Sequence, residues 1–539
     1  MMHHRLIALS LLGSMLTACN GEPPPSWHVT PLVPIADTAG PAGLAFDANG
    51  ELFAASAMGR KIYRIDIEAG RAEVIIGPPD GSSDDLAFAP TGQLAWTAID
   101  AGAVRIRRAD GRIEDIATGL PFINSIRFAP DGRLFAAQVT PGKGNLYLID
   151  PTGRTAPEVF IKGLPALNGF EISADNQLYG PLARDGSVVA INLEDKTIRR
   201  IADGFEHPTA VTRDAAGNLY VSDWQTGDIT RVNPDSGARQ RIAHLQAPVD
   251  NLTIGPNGRL YASLPCEGGI VEIDLASLHT RTVVNAGLGL PGGLALARRG
   301  DDTLVFLANM ICEMTIDTVT AETTRLPHTG LPLWPTMVAV DEQRVVFSSI
   351  FTGAVRITDR RSGDTVAHRF GFKSPYGIAL LSDGRILVAE YRSGRILDLD
   401  PDPDVRPQVF AEHLAGPVGL AVLGGDALYV TEHTAGRLIR IDLASGRRET
   451  VLDGLLGPEG LTIIDKTHIA LIETGRRQLL RLALDSGVTE IIATDLPIGL
   501  SSPFGPNDPY IPTDVVAKHA GEFYVSSDLA NTVLKITLE

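Results

Sequence analysis

The sequence predicts an all-β protein: a β-propeller of about twelve four-stranded blades, expected as two six-bladed rings. Three observations predict it. A unit of polar pair, apolar strand, turn and second strand recurs along the chain about every 40–44 residues. Turns such as "PDGRL", "AAGNLY" and "PNGRLY" sit at a fixed place in that unit and join alternating strands as hairpins. No stretch carries a long apolar pattern of helical period. Four strands at this period make one propeller blade.

The N-terminus reads differently. "MMHHRLIALSLLGSMLTAC" has a basic start at Arg5, an apolar run from Leu6 to Leu16 and then small residues, as in a secretory signal. It is too short for a permanent membrane span. Its end, "LTAC", resembles the bacterial lipobox, which makes Cys19 the expected lipidation site. Residues 1–19 are thus a lipoprotein signal, and 20–28, with "NGEPPPS", a tether. Asn20 is not the Asp that retains such proteins at the inner membrane. The expected place is therefore the cell envelope, lipid-anchored, with the periplasmic face of the outer membrane favoured over the inner. Cys266 and Cys312 are the other two cysteines, and two buried free thiols are the expected state. At 539 residues with 44% apolar and 21% charged residues, the chain is globular and too long for one ordinary core. A net charge of −17 excludes a nucleic-acid backbone as partner.

Aligned on the residue that opens the first strand, the repeats begin at Leu44, Leu86, Ile126, Phe170, Val211, Leu252, Leu294, Val338, Ile378, Leu420, Leu461 and Val515. The last follows an insertion, "GLSSPFGPNDPY", and ends after three strands at "VLKITLE". "WHVTPLVPI" near the N-terminus is an unclaimed strand, expected to complete that blade and protect both edges. More than eight blades would leave a wide wet axis, hence two rings. Repeats 1–6 and 7–12 form them in order, or repeats 2–7 form one ring nested in the other. The first partition is favoured, with propellers at 29–290 and 291–539.

In a propeller the first strand of each blade lines the central tunnel, so the two residues before it converge on one face. Those slots read Ala42-Gly43, Asp84-Asp85, Asn124-Ser125, Asn168-Gly169, Thr209-Ala210 and Asp250-Asn251 in the first six repeats. The later six are mostly small or apolar, apart from Glu459 and Asp514. Carboxylates and amides without Cys or His are hard ligands, suited to Ca²⁺, with Mg²⁺ or Mn²⁺ as alternatives.

These residues also carry a resemblance. "SSDDLAFAPTG" resembles the acidic opening of the first blade in paraoxonases. "LNGFEISADNQLYG" is similar to their third blade and to the Asn-Gly element of gluconolactonases, and "VDNLTIGPNGRLY" to the fifth-blade segment that gives an Asp-Asn pair to a catalytic calcium. Beyond repeats 2–6 the chain resembles the wider lactonase and NHL-type propellers by repeat architecture alone. The resemblance implies Asp84, Asn168, Asp250 and Asn251 as calcium ligands. It places Asp85 at a carboxylate that serves a second, structural ion, and Asn124 and Thr209 at substrate. Three departures stand out. Asp84 replaces a Glu, Thr209 replaces a ligand Asn, and Asn124 replaces a His, leaving Asp84, Asp85 or Asp250 as the candidate base. The function implied is calcium-dependent hydrolysis of a small-molecule lactone or ester. The alternative is a non-catalytic propeller that binds a ligand or a protein partner on its ring face.

Other signals have plainer readings. "GLGLPG" at 287–292 fits a phosphate-loop pattern but precedes a strand, so a turn between blades is expected. "DLDPDPD" lacks the Gly and the distal Glu of a calcium loop. Asp223, Glu390, Glu432, Glu473 and Asp528, each ending a second strand, read as turn caps. His433 beside Glu432, and Trp224, Trp334 and Tyr376, are left open between surface and packing roles.

Overall fold

The computed structural model describes residues 26–539 apart from 141–143, 247, 300–301, 327–333, 401, 403, 503–504, 506–507 and 510. Cys19 and the segment before Ser26 lie outside the described residues. The chain forms twelve four-stranded antiparallel sheets, eleven of them with strands in chain order. Blade 1 is typical, with strands Leu44–Phe46, Leu52–Ser56, Lys61–Asp66 and Arg71–Ile76 from tunnel to rim.

Burial follows this order. Second strands such as Leu52–Ser56, Leu94–Ala98 and Leu260–Leu264 are buried at every residue. Both of their faces pack on neighbouring blades, so alternation gives way to continuous apolar runs. Outer strands such as Arg71–Ile76 expose most of their residues to solvent. Between adjacent blades the aromatic residues interlock, as where Phe53 meets Phe88 edge-on at 4.9 Å.

The twelfth sheet draws on both termini: Trp27–Pro31, Thr532–Leu538, Glu522–Ser527 and Val515–His519, in that order. The N-terminal strand thus completes the last blade, as expected of "WHVTPLVPI"; it begins at Trp27, so Trp27 and His28, read from sequence as tether, are already strand. The reason is that the last repeat supplies only three strands. Pairing satisfies the open edges of both Thr532–Leu538 and Trp27–Pro31.

Inner strands of consecutive blades touch from Leu44–Phe46 round to Leu252–Ile254, which contacts Leu44–Phe46 again. A second closed circuit runs from Leu294–Arg299 to Val515–His519 and back. The circuits share an apolar cluster that includes Ala39, Leu288 and Leu290 on one side and Ile311, Ile511 and Tyr524 on the other. "GLGLPG" crosses here as connecting loop into Leu294–Arg299, burying Leu288 and Leu290.

The cysteines require a correction. The sequence suggests free thiols, whereas the structure bonds Cys266 to Cys312, with Cα atoms 5.6 Å apart. Cys266 follows a second strand of blade 6, and Cys312 opens Cys312–Asp317 of blade 7. Only the docking of one circuit on the other brings them within reach. The insertion after blade 11 bridges the same junction. Arg60 donates to the Ser501 carbonyl at 2.8 Å, and Tyr376 Oη donates to the Pro509 carbonyl at 2.9 Å.

Candidate functional site

A recurring clamp holds each polar slot. The backbone N–H of Asp84, Asn168 and Asp250 donates to the carbonyl of Thr97, Pro181 and Ser263, continuing each hairpin past its inner strand. Second-strand hydroxyls then fix the next residue. Asp85 N–H donates to Thr97 Oγ1 at 3.1 Å, and Asn251 N–H to Ser263 Oγ at 3.0 Å. The Ser222 hydroxyl reaches the next blade, donating to the Asp250 carbonyl at 3.3 Å. These Ser and Thr residues escaped the sequence reading, although their signal is visible in "LAWTA", "LYVSD" and "LYASL".

The clamp sorts the expected residues into two tiers. Asp84, Asn124, Asn168, Thr209 and Asp250 line one cavity of about 380 Å³. Asp85 and Asn251 sit beside them but are buried, at 1% and 7% exposed. Asn251 Nδ2 donates to Asp85 Oδ1 at 3.4 Å.

Among the described residues, the two carboxylates of the upper tier have acidic neighbours and no cation acting on them. Burial pushes Asp84 well above the usual carboxylate range, and the charges of Asp250 and then Asp85 add to it. Burial, then Asp85, lifts Asp250 to about 7. Among the described residues neither side chain has a hydrogen bond or an ion pair to offset this. Asn251 Oδ1 is buried and without a partner. Ser125 has one hydroxyl proton and faces two amide oxygens, Asn124 Oδ1 at 2.8 Å and Asn168 Oδ1 at 3.0 Å. One of them therefore always lacks that donor. Such an oxygen-rich, donor-poor set fits a hard cation. No group of three His, Cys, Asp or Glu side chains suited to a metal occurs among the described residues. The fit thus depends on the amides.

Two expected residues are otherwise engaged. Asp85 Oδ2 accepts from Arg127 Nη1 at 2.9 Å and from Ile126 N–H at 3.1 Å, while Oδ1 accepts from its neighbour Leu86 N–H at 2.9 Å. A guanidinium of the chain thereby supplies the positive charge that the resemblance assigns to a second ion. Burial favours loss of the Arg127 charge, but Asp85 and Glu171 outweigh it and the group stays protonated. Asp514 in the second ring shows what the same position does without an arginine. It accepts from Val515 and Leu294 N–H, both at 2.9 Å, and burial lifts it to about 7. Thr209 Oγ1 donates to the Val249 carbonyl at 2.8 Å and lies 3.0 Å from Ser222 Oγ, so its hydroxyl is committed between blades.

His207, which the sequence reading passed over, lines the same cavity beside Arg184 and Trp224. Burial pulls its imidazole down from the usual histidine range, against the opposing charge of Asp223, so it is neutral at pH 7. Its only sequence signal was its place two residues before the Thr209 slot.

The recurring strand-end acids are caps. Asp223 accepts from the N–H of Glu206, His207, Gln225 and Thr226, and Asp528 from that of Gly499 and Leu500. Glu390 and Glu432 pair with Arg395 and Arg437 in their own turns. His433 is not on the open surface: it lies 3.7 Å from buried Glu459. Of the aromatics left open, Trp224 and Trp334 line the cavity, whereas Tyr376 is buried beneath the insertion.

Residues 36–261, from ahead of the first blade into the second strand of the sixth, match the family described as SMP-30/gluconolactonase/LRE-like region. A search of the curated proteins finds no match. Solved structures with similarity include a gluconolactonase from Xanthomonas campestris, XC5397, at 18% identity over 44% of this chain and 86% of that one, TM-score 0.38. Virginiamycin B lyase from Staphylococcus aureus is 16% identical over 62% of this chain and 95% of that one, TM-score 0.27. The extracellular domain of the one component system BT4673 from B. thetaiotaomicron is 11% identical over 93% and 75%, TM-score 0.33.

Proposed function

We propose that this chain, whose residues 36–261 form an SMP-30/gluconolactonase/LRE-like region, hydrolyses a small-molecule lactone or related ester with the help of a divalent cation, calcium first. One observation carries this reading. Two half-buried, unpaired carboxylates, Asp84 and Asp250, form the acidic floor of one cavity next to the partnerless Asn251 oxygen.

Asp84, Asn168, Asp250 and Asn251 would hold the ion, which when bound supplies polarisation of the substrate carbonyl and stabilisation of its developing negative charge. The chain's own residues do the rest. Asn124, at the floor, orients the substrate by its amide. The apolar walls exclude water beyond the one that attacks, and a floor carboxylate takes that water's proton. Asp85, held by Arg127, keeps the floor rigid rather than moving a proton. Thr209 contributes shape, its hydroxyl being committed to Val249.

The same reading anchors the protein through Cys19 in the cell envelope, the outer membrane favoured. The Cys266–Cys312 bond supports an oxidising compartment.

The test is turnover of a lactone panel by the full-length protein with added calcium and with chelator. Chelator-sensitive turnover that disappears in Asp250→Ala supports the hydrolase. Absent turnover with calcium still raising the melting temperature would leave a binding scaffold with a structural ion. Neither effect would remove the ion altogether.

A further inference from the structure

The cavity over the acidic floor does not belong to the first ring alone. Ile311, Trp334 and Phe351 of the second ring line it together with Phe122 of the first. The Cys266–Cys312 bond runs beside it, since Pro265 and Ile311, the neighbours of the two cysteines, both face the cavity.

The backbone marks two of these residues. The position two before the slot is left-handed in seven repeats: Gly40, Phe122, Ala166, Trp334, Ser374, Gly416 and Gly457, with φ between 51° and 66°. Glycine takes that conformation without strain, and Ala or Ser with little side chain to place. A bulky aromatic there is an outlier, held only where something over-determines it. The two repeats that place an aromatic in this strained position are Phe122 and Trp334, one from each ring, and both line the same cavity. Phe122 is moreover 44% exposed, so core packing does not account for it. Met58 and Ile99 add apolar surface to the same cavity.

We infer that Trp334 and Phe122 are specificity residues that grip an apolar substituent of the ligand, and that the second ring exists in part to complete this wall. The substrate class is then a lactone or ester carrying an alkyl or aryl group rather than a polyol. That class rests on the hydrolase reading; the apolar subsite itself does not.

The experiment uses the full-length protein with calcium and three probes: δ-valerolactone, δ-decalactone, which adds a pentyl chain to the same ring, and glucono-δ-lactone. Wild type is expected to favour δ-decalactone over δ-valerolactone in kcat/KM by at least about tenfold, since each buried methylene favours binding. Trp334→Ala and Phe122→Ala should each erase most of that preference by raising KM for δ-decalactone more than KM for δ-valerolactone. Trp334→Phe should retain it, which separates loss of grip from loss of fold. A preference for glucono-δ-lactone, or equal effects of Trp334→Ala on all three probes, would overturn the inference and leave the hydrolase standing. If no probe is turned over, binding of the inert lactam of δ-decalactone is followed by isothermal titration calorimetry. Binding lost in Trp334→Ala then supports the subsite while the hydrolase reading falls, and no binding overturns the subsite too.

Discussion

Removing the Arg127 guanidinium tests the electrostatic frame beneath the site. In Arg127→Met the methylenes of the side chain are largely kept, but Asp85 Oδ2 loses its 2.9 Å ion pair and keeps only the Ile126 N–H. Arg127 Nη1 also donates to the Leu86 carbonyl at 3.2 Å and the Ile126 carbonyl at 2.8 Å, so two backbone acceptors lose a donor. Asp85 is 1% exposed and cannot recover hydration. Breaking a buried pair from one side costs about 3–5 kcal/mol. For a ring of this size each kcal/mol shifts the melting temperature by about 2–4 °C, so the expected fall is roughly 6–20 °C. The assay is thermal unfolding followed by circular dichroism, in chelator and in calcium. Arg127→Met combined with Asp85→Asn should recover a good part of the loss, because the second change removes the stranded charge. Calcium should rescue Arg127→Met more than wild type if a cation can replace the guanidinium. A fall under about 1 kcal/mol in Arg127→Met, or no recovery in the double variant, would refute the pairing as the frame of the floor.

Other outcomes follow from the same geometry. Glu459 is lifted to about 8, mainly by burial. Its folded state therefore holds a proton that the unfolded chain loses near the usual 4.5, and the stability this gives is full below that pH and lost as pH rises through 8. Glu459→Gln should match wild type in melting temperature near pH 5 and exceed it at pH 9, by about 1.4 kcal/mol for each pH unit crossed. A gain at pH 5 would contradict that sign. Cys266→Ser with Cys312→Ser should lose about 2–4 kcal/mol, and thiol titration of unfolded, unreduced wild type should find neither cysteine free. Deleting residues 27–31 exposes the edge of Thr532–Leu538 and should shift the protein to larger species on size-exclusion chromatography. His207→Gln should leave kcat within about threefold if a floor carboxylate is the base; a loss above about a hundredfold would hand that role to the imidazole.

The sequence by itself determined the repeat, its strand order and the inward polar set. Those features are local: a hairpin turn sits a fixed number of residues from its strands, and the slot sits at or just before the start of each inner strand. Asp84, Asn124, Asn168 and Asp250 could therefore be named before any contact was known, and so could the turn-capping acids. What lay beyond reach depended on contacts between separate units. Arg127 reads as an ordinary exposed position of an inner strand until the ring closes and turns it onto Asp85 in the previous blade. Thr209 reads as a substrate-facing residue until blade 6 brings the Val249 carbonyl to its hydroxyl. The Cys266–Cys312 bond, the wall of Ile311, Trp334 and Phe351, and the burial of His433 against Glu459 need whole blades docked together. Periodicity fixes which face of a strand points at the tunnel. Which neighbour meets that face is a matter of surfaces far apart in the chain, and packing between blades and between rings alone decided it.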